Sequence, residues 1–303
     1  MKIPPATRTV SLEKFSFPLT ELSLLLVAIF WGTSYGMTKS ALLYTSVFML
    51  MAIRFLLTFA LLLYPTFKDF QAKKNRDWKV AVPTGFILLA IFCCEIIGIS
   101  KTTATNAAFL ISLSVILTAF AEVFINKKSL DRYLLILSIF SIQGVYLLTY
   151  SDKNTLSLNQ GDWFILTAAL LRAFMVTATK RFTEGRQITT LSLTALQSLV
   201  VGIGAVSLLI TQGNADLFTI PENLDFWWMT LYLVLFCTLF AFFIQNHAVR
   251  KTSPTRVSLL MGSEPLFGAL FAFLWLGESL NPIQYLGALM ILASVYAALA
   301  RKG

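Results

Sequence analysis

The sequence predicts an all-α polytopic membrane protein with ten transmembrane helices, arranged as two inverted five-helix repeats. Of the 303 residues, 57% are hydrophobic and only 13% are charged, with a mean hydropathy of +0.75; soluble domains carry about 25% charged residues. Apolar stretches, of which about 20 residues cross a bilayer, recur from Leu22 to Ala300 with short polar breaks. The period-two alternation of a membrane β-barrel is missing.

The ten apolar stretches predict the helices in order along the chain. They are Thr20 to Lys39, Thr45 to Tyr64, Lys79 to Ser100, Thr103 to Ile125, Leu130 to Tyr150, Gly161 to Thr179, Thr190 to Thr211, Phe226 to Val249, Pro254 to Leu276 and Pro282 to Ala300. The segments between them are short, which leaves no room for a separate soluble nucleotide-binding or catalytic domain.

Basic residues predict the orientation of these helices. With a cytoplasmic N-terminus, 19 of the 24 lysines and arginines fall in cytoplasmic segments, and three (Lys39, Lys101 and Lys153) fall on the other side. This asymmetry follows the positive-inside rule and predicts two cytoplasmic termini, in a bacterial inner (plasma) membrane. It also accounts for the net charge of +9 without nucleic acid as a partner.

Comparison of the sequence with itself predicts an internal repeat. A shift of 150 residues places Thr102–Leu110 over Thr252–Leu260, and a shift of 141 places Lys39 over Lys180. The predicted organisation is a cytoplasmic tail (1–19), a first repeat (20–150), a linker (151–160) and a second repeat (161–300). Because five spans are an odd number, the second repeat is inverted. Two inverted halves have two near-equivalent packings, which open a midplane site to one side or the other.

Several motifs resemble those of one transporter family. They are Phe30-Trp-Gly, Arg54-Phe-Leu, Thr103-Ala-Thr-Asn-Ala-Ala-Phe-Leu, Ser253-Pro-Thr-Arg, Ser263-Glu-Pro-Leu-Phe-Gly and Gln284-Tyr-Leu-Gly. Over residues 20 to 300 the chain is similar to the EamA-domain group of the drug/metabolite transporter superfamily. The resemblance implies a ten-helix carrier, often an exporter, whose central cavity is lined by helices 1 to 4 and 6 to 9. The chain departs from the family at Val115, where helix 4 usually has a proline.

Four ionisable residues lie deep in predicted helices: Arg54, Glu95, Arg172 and Glu264. Such groups cost about 2.5 to 3.5 kcal/mol each to insert, so we expect them to face protein or water. Two cations and two anions allow pairing, but the sequence does not say which arginine meets which glutamate. Glu95 lies among apolar residues that favour its protonated form unless a cation is near. It is expected either to contact protons or substrate, or to form a structural ion pair with Arg172 or Lys101.

The other deep residues also have two interpretations each. Glu264 precedes Pro265, whose ring tends to kink a helix and free a carbonyl, so we expect either substrate contact or a contact that only fixes helix 9. Arg172 either binds a substrate carboxylate or phosphate through its forked donors, or pairs permanently with a glutamate. Arg54 is expected to be a structural brace.

Aromatic and neutral polar residues complete the candidate site. Trp31 and Tyr35 are four residues apart on one helix face, and either stack on an apolar or cationic solute or pack against lipid or core. Asn106 and Ser114 either line the cavity or only form hydrogen bonds to the backbone. Gln245 belongs to a polar cluster with Asn246 and His247 toward the cytoplasmic end of helix 8, and aligns with Glu95 in the repeat.

The sequence contains no motif for hydrolysis, and its one histidine and three helical cysteines have no metal-ligand spacing. We therefore expect no enzyme activity, no cofactor and no metal site. The leading hypothesis is a secondary active transporter that exports small metabolites, amino-acid-like compounds or drugs by alternating access, with protons as a candidate coupling ion. The alternatives are a non-transporting membrane enzyme or scaffold, and a passive channel. The expected partners are a small-molecule solute and the lipid bilayer, and a homodimer is left open.

Overall fold

A computed structural model describes residues 19–102, 104–127, 129–148, 150, 158–212, 220–275 and 281–300. The helices are α1 (Leu19–Ala41), α2 (Val47–Gln71), α3 (Ala81–Lys101), α4 (Ala104–Ser112), α5 (Ser114–Asn126), α6 (Arg132–Leu148), α7 (Gln160–Thr183), α8 (Thr190–Thr211), α9 (Leu224–Tyr232), α10 (Ala241–Lys251), α11 (Pro254–Met261), α12 (Glu264–Trp275) and α13 (Pro282–Ala300). A 3-10 turn, Trp78–Val80, precedes α3, and a π-helical stretch, Leu233–Phe240, joins α9 to α10. The described part of the chain contains no strand. The predicted tail (except Leu19) and linker residues 151–157 lie outside it.

The helices have the length and composition of membrane spans. Within the described ranges, eight helical segments are long and apolar enough to cross a bilayer, and the 17-residue helix α6 is apolar but shorter. The interrupted pair α11 and α12 is not among the eight. The predicted all-helical membrane class is therefore confirmed, while the number of ten spans and the inverted repeat stay predictions.

Three predicted helices are not continuous. Helix 4 is divided into α4 and α5 at Leu113, helix 8 contains the π-helical stretch, and helix 9 is divided into α11 and α12 at Gly262 and Ser263. Pro265 does not kink a continuous helix, as the sequence suggested, because it occupies the first turn of α12, where its missing N–H is not needed. The first-half break forms without a proline, although Val115 stands at the usual proline position.

Local signals explain where several helices begin. Ser46 and Thr189 accept backbone hydrogen bonds at the starts of α2 and α8. Asn159 and Asp162 form a capping box at the start of α7, in which each side chain accepts from the other residue's backbone N–H. These caps satisfy donors that the first turn of a helix leaves unpaired, which is costly where water is scarce.

The two halves of the chain are interleaved in the bundle. Helix α2 packs along α8, α6 along α13, α3 along α7, α5 against α7 and α11, and α1 against α12 and the α9 to α10 segment. Each of these pairs joins a helix before residue 150 to one after it. The core therefore lies between the halves, and residues from both contribute to any central cavity.

Polar contacts define two ends of the bundle. At one end, which we call the Asp77 end, Asp77 bonds Arg186, and Arg250 Nη1 donates to the Ile188 carbonyl. At the other, the Thr102 end, Thr102 Oγ1 donates to Asp162 at 2.5 Å. The described lysines and arginines at the Asp77 end are Lys68, Lys73, Lys74, Arg76, Lys79, Lys127, Arg132, Lys180, Arg181, Arg186, Arg250, Lys251 and Arg256. At the Thr102 end they are Lys39 and Lys101.

Candidate functional site

An ion pair lies midway between the two ends, where α7 faces the start of α12. Arg172 Nη2 donates to Glu264 Oε1 at 2.8 Å, and the two side chains are only 13% and 4% exposed. Tyr35 Oη donates to the other carboxylate oxygen, Oε2, at 2.9 Å. Both oxygens of Glu264 therefore have a charged or hydroxyl donor, as a carboxylate buried this deeply requires.

The ring of Trp31 stacks on the guanidinium of Arg172. The ring lies 4.3 Å from the Arg172 guanidinium carbon, a cation–π contact, and its indole Nε1 donates to the Cys237 carbonyl at 2.8 Å. Trp31 and Tyr35 are 5% and 4% exposed, so the interpretation of this face of α1 as lipid-facing is wrong. Both aromatic residues instead bring the first half of the chain onto the ion pair of the second half.

The π-helical stretch supplies the partners of Arg54. Arg54 Nε donates to Thr238 Oγ1 at 2.6 Å, and its Nη2 donates to the Cys237 carbonyl at 3.3 Å. The guanidinium also lies 5.0 Å from the centre of the Phe92 ring. The contacts are those of a brace between α2 and the π-helical stretch. Sequence reasoning missed the stretch, because its apolar residues carry no sign of a change in helix type.

Glu95 is a deep carboxyl without an ion-pair partner in the described chain, although Arg54 and Arg172 line the same cavity. Arg172 is paired with Glu264, and Lys101 donates instead to Gln160 at the Thr102 end, so neither of the ion pairs suggested for Glu95 forms. Within the described ranges, its side chain has no salt bridge within 4.0 Å and no hydrogen bond. It is partly exposed and faces a cavity.

Two small cavities adjoin the ion pair, and both have Arg172 and Glu264 in their walls. The first is about 20 Å³ and is lined by Trp31, Tyr35, Arg54, Glu95 and Gln245 among others. The second is about 10 Å³ and includes Ser112, Ser114, Ser258 and Pro265. Spaces of this size hold about one water molecule each. The free space at the site is therefore narrow in this conformation, and the ion pair forms part of the wall of both cavities.

Most sequence-predicted site residues meet at these cavities. Gln245 is 5% exposed and its Oε1 has no hydrogen-bond partner, whereas its neighbour Asn246 points away and donates to Thr194 and Gln197. The side chain of Asn106 lies outside the described residues. Sequence reasoning also missed a second buried ion pair, Glu21 with Arg256 at 2.9 Å, near the Asp77 end.

Comparison with known proteins agrees with a membrane transporter. The profile described as "EamA-like transporter family" matches residues 18–150 and again residues 159–300. An "Uncharacterized transporter" of Archaeoglobus fulgidus is 27% identical over 279 residues, which cover 91% of this chain and 84% of the relative. The "Uncharacterized transporter YyaM" of Bacillus subtilis is 25% identical, over 91% of this chain and 92% of its own. One solved crystal structure, 14% identical, shares the fold with a TM-score of 0.77 over 92% of this chain and 96% of its own.

Proposed function

Because this chain belongs to the EamA-like transporter family, and is thus a membrane transporter, we propose that it is a secondary carrier that exports small organic solutes by alternating access. The cargo class is small metabolites, amino-acid-like compounds or drugs. The observation that carries the proposal is the buried Arg172–Glu264 pair, which receives Tyr35 and Trp31 from the other half of the chain. Because this pair lies between two cavities, separation of the halves on either side would expose it to solute.

Contacts at the two ends support an inverted repeat. Lys39 Nζ donates to the Thr102 carbonyl at 3.2 Å, and Lys180 Nζ donates to the Thr252 carbonyl at 3.2 Å. The repeat alignment pairs Lys39 with Lys180 and Thr102 with Thr252. Both threonines are extended residues that end α3 and α10, with φ of −127° and −129°. We call these contacts the lysine clasps. Each closes an equivalent helix corner, one at the Thr102 end and one at the Asp77 end, as two alternating gates require.

The helix breaks support the same symmetry. Leu113, between α4 and α5, and Ser263, between α11 and α12, are equivalent under the shift of 150 residues. Ser114 and Glu264, which follow them, each begin a helix and line the second cavity. Interrupted helices beside a midplane site are a common feature of carriers built from inverted repeats.

The charge distribution supports an orientation. We propose that the Asp77 end, which carries 13 described lysines and arginines against two at the Thr102 end, faces the cytoplasm of a bacterial inner membrane. Both chain termini would then be cytoplasmic. Solute would enter from the Asp77 end and leave from the Thr102 end.

Glu95 is our candidate for coupling to protons. Its carboxyl faces the first cavity and has no salt bridge within 4.0 Å in the described chain, so it has no fixed counterion in this conformation. A proton taken up when the cavity opens to one side could be released on the other. Glu264 is less suited to this exchange, because in this conformation both of its carboxylate oxygens are engaged by Arg172 and Tyr35.

Counterflow in proteoliposomes tests the proposed function. Amino acids, nucleosides, polyamines and cationic dyes are first screened for a rise in thermal stability, since a ligand of the folded state stabilises it by mass action. For a carrier, we expect several-fold faster entry of a labelled binder into vesicles preloaded with the unlabelled compound. A channel would give flux without this stimulation, and an enzyme would change the compound chemically; either result would contradict the proposal.

A further inference from the structure

Most charged groups at the first cavity are already engaged. Glu264 accepts from Arg172 with one carboxylate oxygen and from Tyr35 with the other. Arg54 donates to Thr238 and to the Cys237 carbonyl, away from the ion pair. A solute in this cavity therefore finds both Glu264 oxygens already paired, while Arg172 uses one of its five N–H donors and Arg54 uses two.

Two acceptors facing the same cavity are not engaged. The Glu95 carboxylate has neither a salt bridge nor a hydrogen bond to the part of the chain that the structure describes, and Gln245 Oε1 is buried without a partner. For Gln245 Oε1, which is buried, the lack of a partner is costly and calls for a donor; the partly exposed Glu95 carboxylate is open to a donor from the cavity. An ionised carboxylate and an amide oxygen both accept hydrogen bonds only. The ligand group that fits them is a donor, and beside Glu95 a cationic one.

The cavity walls favour the same chemistry. The rings of Trp31 and Phe242 lie 5.4 Å apart, those of Phe92 and Phe242 lie 5.8 Å apart, and all three line the cavity. Arg172 already stacks on Trp31 and Arg54 lies over Phe92, which leaves Phe242 as the ring for a ligand cation. Aromatic faces attract cations, most strongly where water is excluded. Arg54 and Arg172 also line this cavity, but an anionic group placed directly beside Glu95 would meet a like charge, which disfavours binding there.

From these contacts we infer that Glu95 and Gln245 form a subsite for the ammonium group of a solute, so that the cargo is an amine. The cavity of about 20 Å³ matches the head group, since –NH3⁺ is about the size of a water molecule. The remainder of the solute would occupy space that opens when the Arg172–Glu264 pair separates. That the bound amine is transported rests on the proposed function, whereas the subsite itself is tested by binding alone.

Three probes that share a phenyl group separate charge from hydrophobicity: 2-phenylethylammonium, 2-phenylethanol and 3-phenylpropionate. We expect only the ammonium compound to raise the melting temperature of the purified wild-type protein in detergent, with a saturating dependence on concentration. An equal rise with phenylethanol or phenylpropionate would overturn the subsite. This comparison needs no variant and therefore holds even if changes at the site prevent folding.

Variants then locate the binding. Glu95→Gln keeps the shape of the side chain but removes its charge. It should lower the affinity for 2-phenylethylammonium about tenfold or more, as expected for loss of a charge-assisted hydrogen bond. Gln245→Leu should lower this affinity about threefold to tenfold, because the change removes a neutral acceptor. Glu184→Gln, a matched change at an exposed carboxyl of the Asp77 end, should have no effect. Unchanged affinity in Glu95→Gln would overturn the assignment.

The outcome is distinguishable from failure of the proposed function. Charge-selective, Glu95-dependent binding without counterflow of any binder would support the subsite and contradict the carrier. Counterflow of a solute that carries no amine, unchanged by Glu95→Gln, would support the carrier and overturn the subsite.

Discussion

Replacing Glu264 with glutamine is expected to lower the free energy of unfolding by about 3 to 5 kcal/mol, because it leaves the buried Arg172 guanidinium without its counterion. The Tyr35 hydroxyl keeps an acceptor in this variant, so the loss of unfolding free energy reports the effect of removing the carboxylate charge. Unfolding by sodium dodecyl sulfate in mixed micelles gives the free energy. Glu184→Gln, the exposed control, should change it by less than about 0.5 kcal/mol.

A combined variant separates stability from transport. Arg172→Met with Glu264→Leu and Tyr35→Phe replaces the ion pair and its hydroxyl donor with apolar side chains, and such replacements often restore the stability that a single change removes. We expect this variant to regain most of the lost unfolding free energy. Counterflow should be absent, because the charged pair that contacts the solute has been removed. Transport at the wild-type rate by this folded variant would show that the pair is only structural.

The second large effect is expected at Gly32, where α1 crosses α12. A Cβ atom added to Gly32 would lie 2.5 Å from the Glu264 carbonyl oxygen and 2.9 Å from the Gly268 nitrogen, both of which are backbone atoms that cannot move aside alone. Gly32→Ala should therefore force the helices apart and cost about 1 to 3 kcal/mol of unfolding free energy. Close approach through small residues is a general feature of helix contacts in membranes.

Gly36, one turn further along the same helix, is the matched control. A Cβ there would meet nothing within 4 Å, so Gly36→Ala should stabilise the protein by up to about 1 kcal/mol, as alanine does in a helix interior. In the same unfolding titration, we expect the changes in unfolding free energy of the two alanine variants to have opposite signs. Equal effects would contradict the close contact between α1 and α12 beside the site.

The sequence predicted most helices because their apolar stretches are long enough to cross a membrane. It did not predict the interruptions at Leu113 and in Leu233–Phe240, which are set by packing between helices rather than by a proline or glycine alone. The break before Glu264 was signalled by Pro265, but as a kink within a helix instead of the start of a new one.

The candidate site was predictable in its residues more than in its pairing. Two arginines and two glutamates deep in helices required neutralisation, which singled out Arg54, Glu95, Arg172 and Glu264 as candidates. That Arg172 meets Glu264, and that Glu95 has no ion-pair partner in the described chain, depends on how α7 faces α12, and no periodicity in one sequence contains that information. The stacking of Trp31 on Arg172 was not predictable either. The shift of 141 residues aligns these two positions in the repeats but does not indicate a contact between them.

Labelling of a cysteine in the first cavity tests whether one site opens to each side of the membrane in turn. Ser34 is 9% exposed and lines that cavity, so Ser34→Cys is made in a protein whose Cys93, Cys94 and Cys237 are replaced by alanine. A membrane-impermeant maleimide is applied from either face of sealed, oriented vesicles. Lys74→Cys and Leu158→Cys mark the Asp77 and Thr102 ends in parallel samples.

We expect the cysteine of Ser34→Cys to react from both faces, more slowly than either marker. Lys180→Met should increase its reaction from the Asp77 end and Lys39→Met its reaction from the Thr102 end, because each removes one lysine clasp. Reaction from the same single face in all three proteins would contradict alternating access.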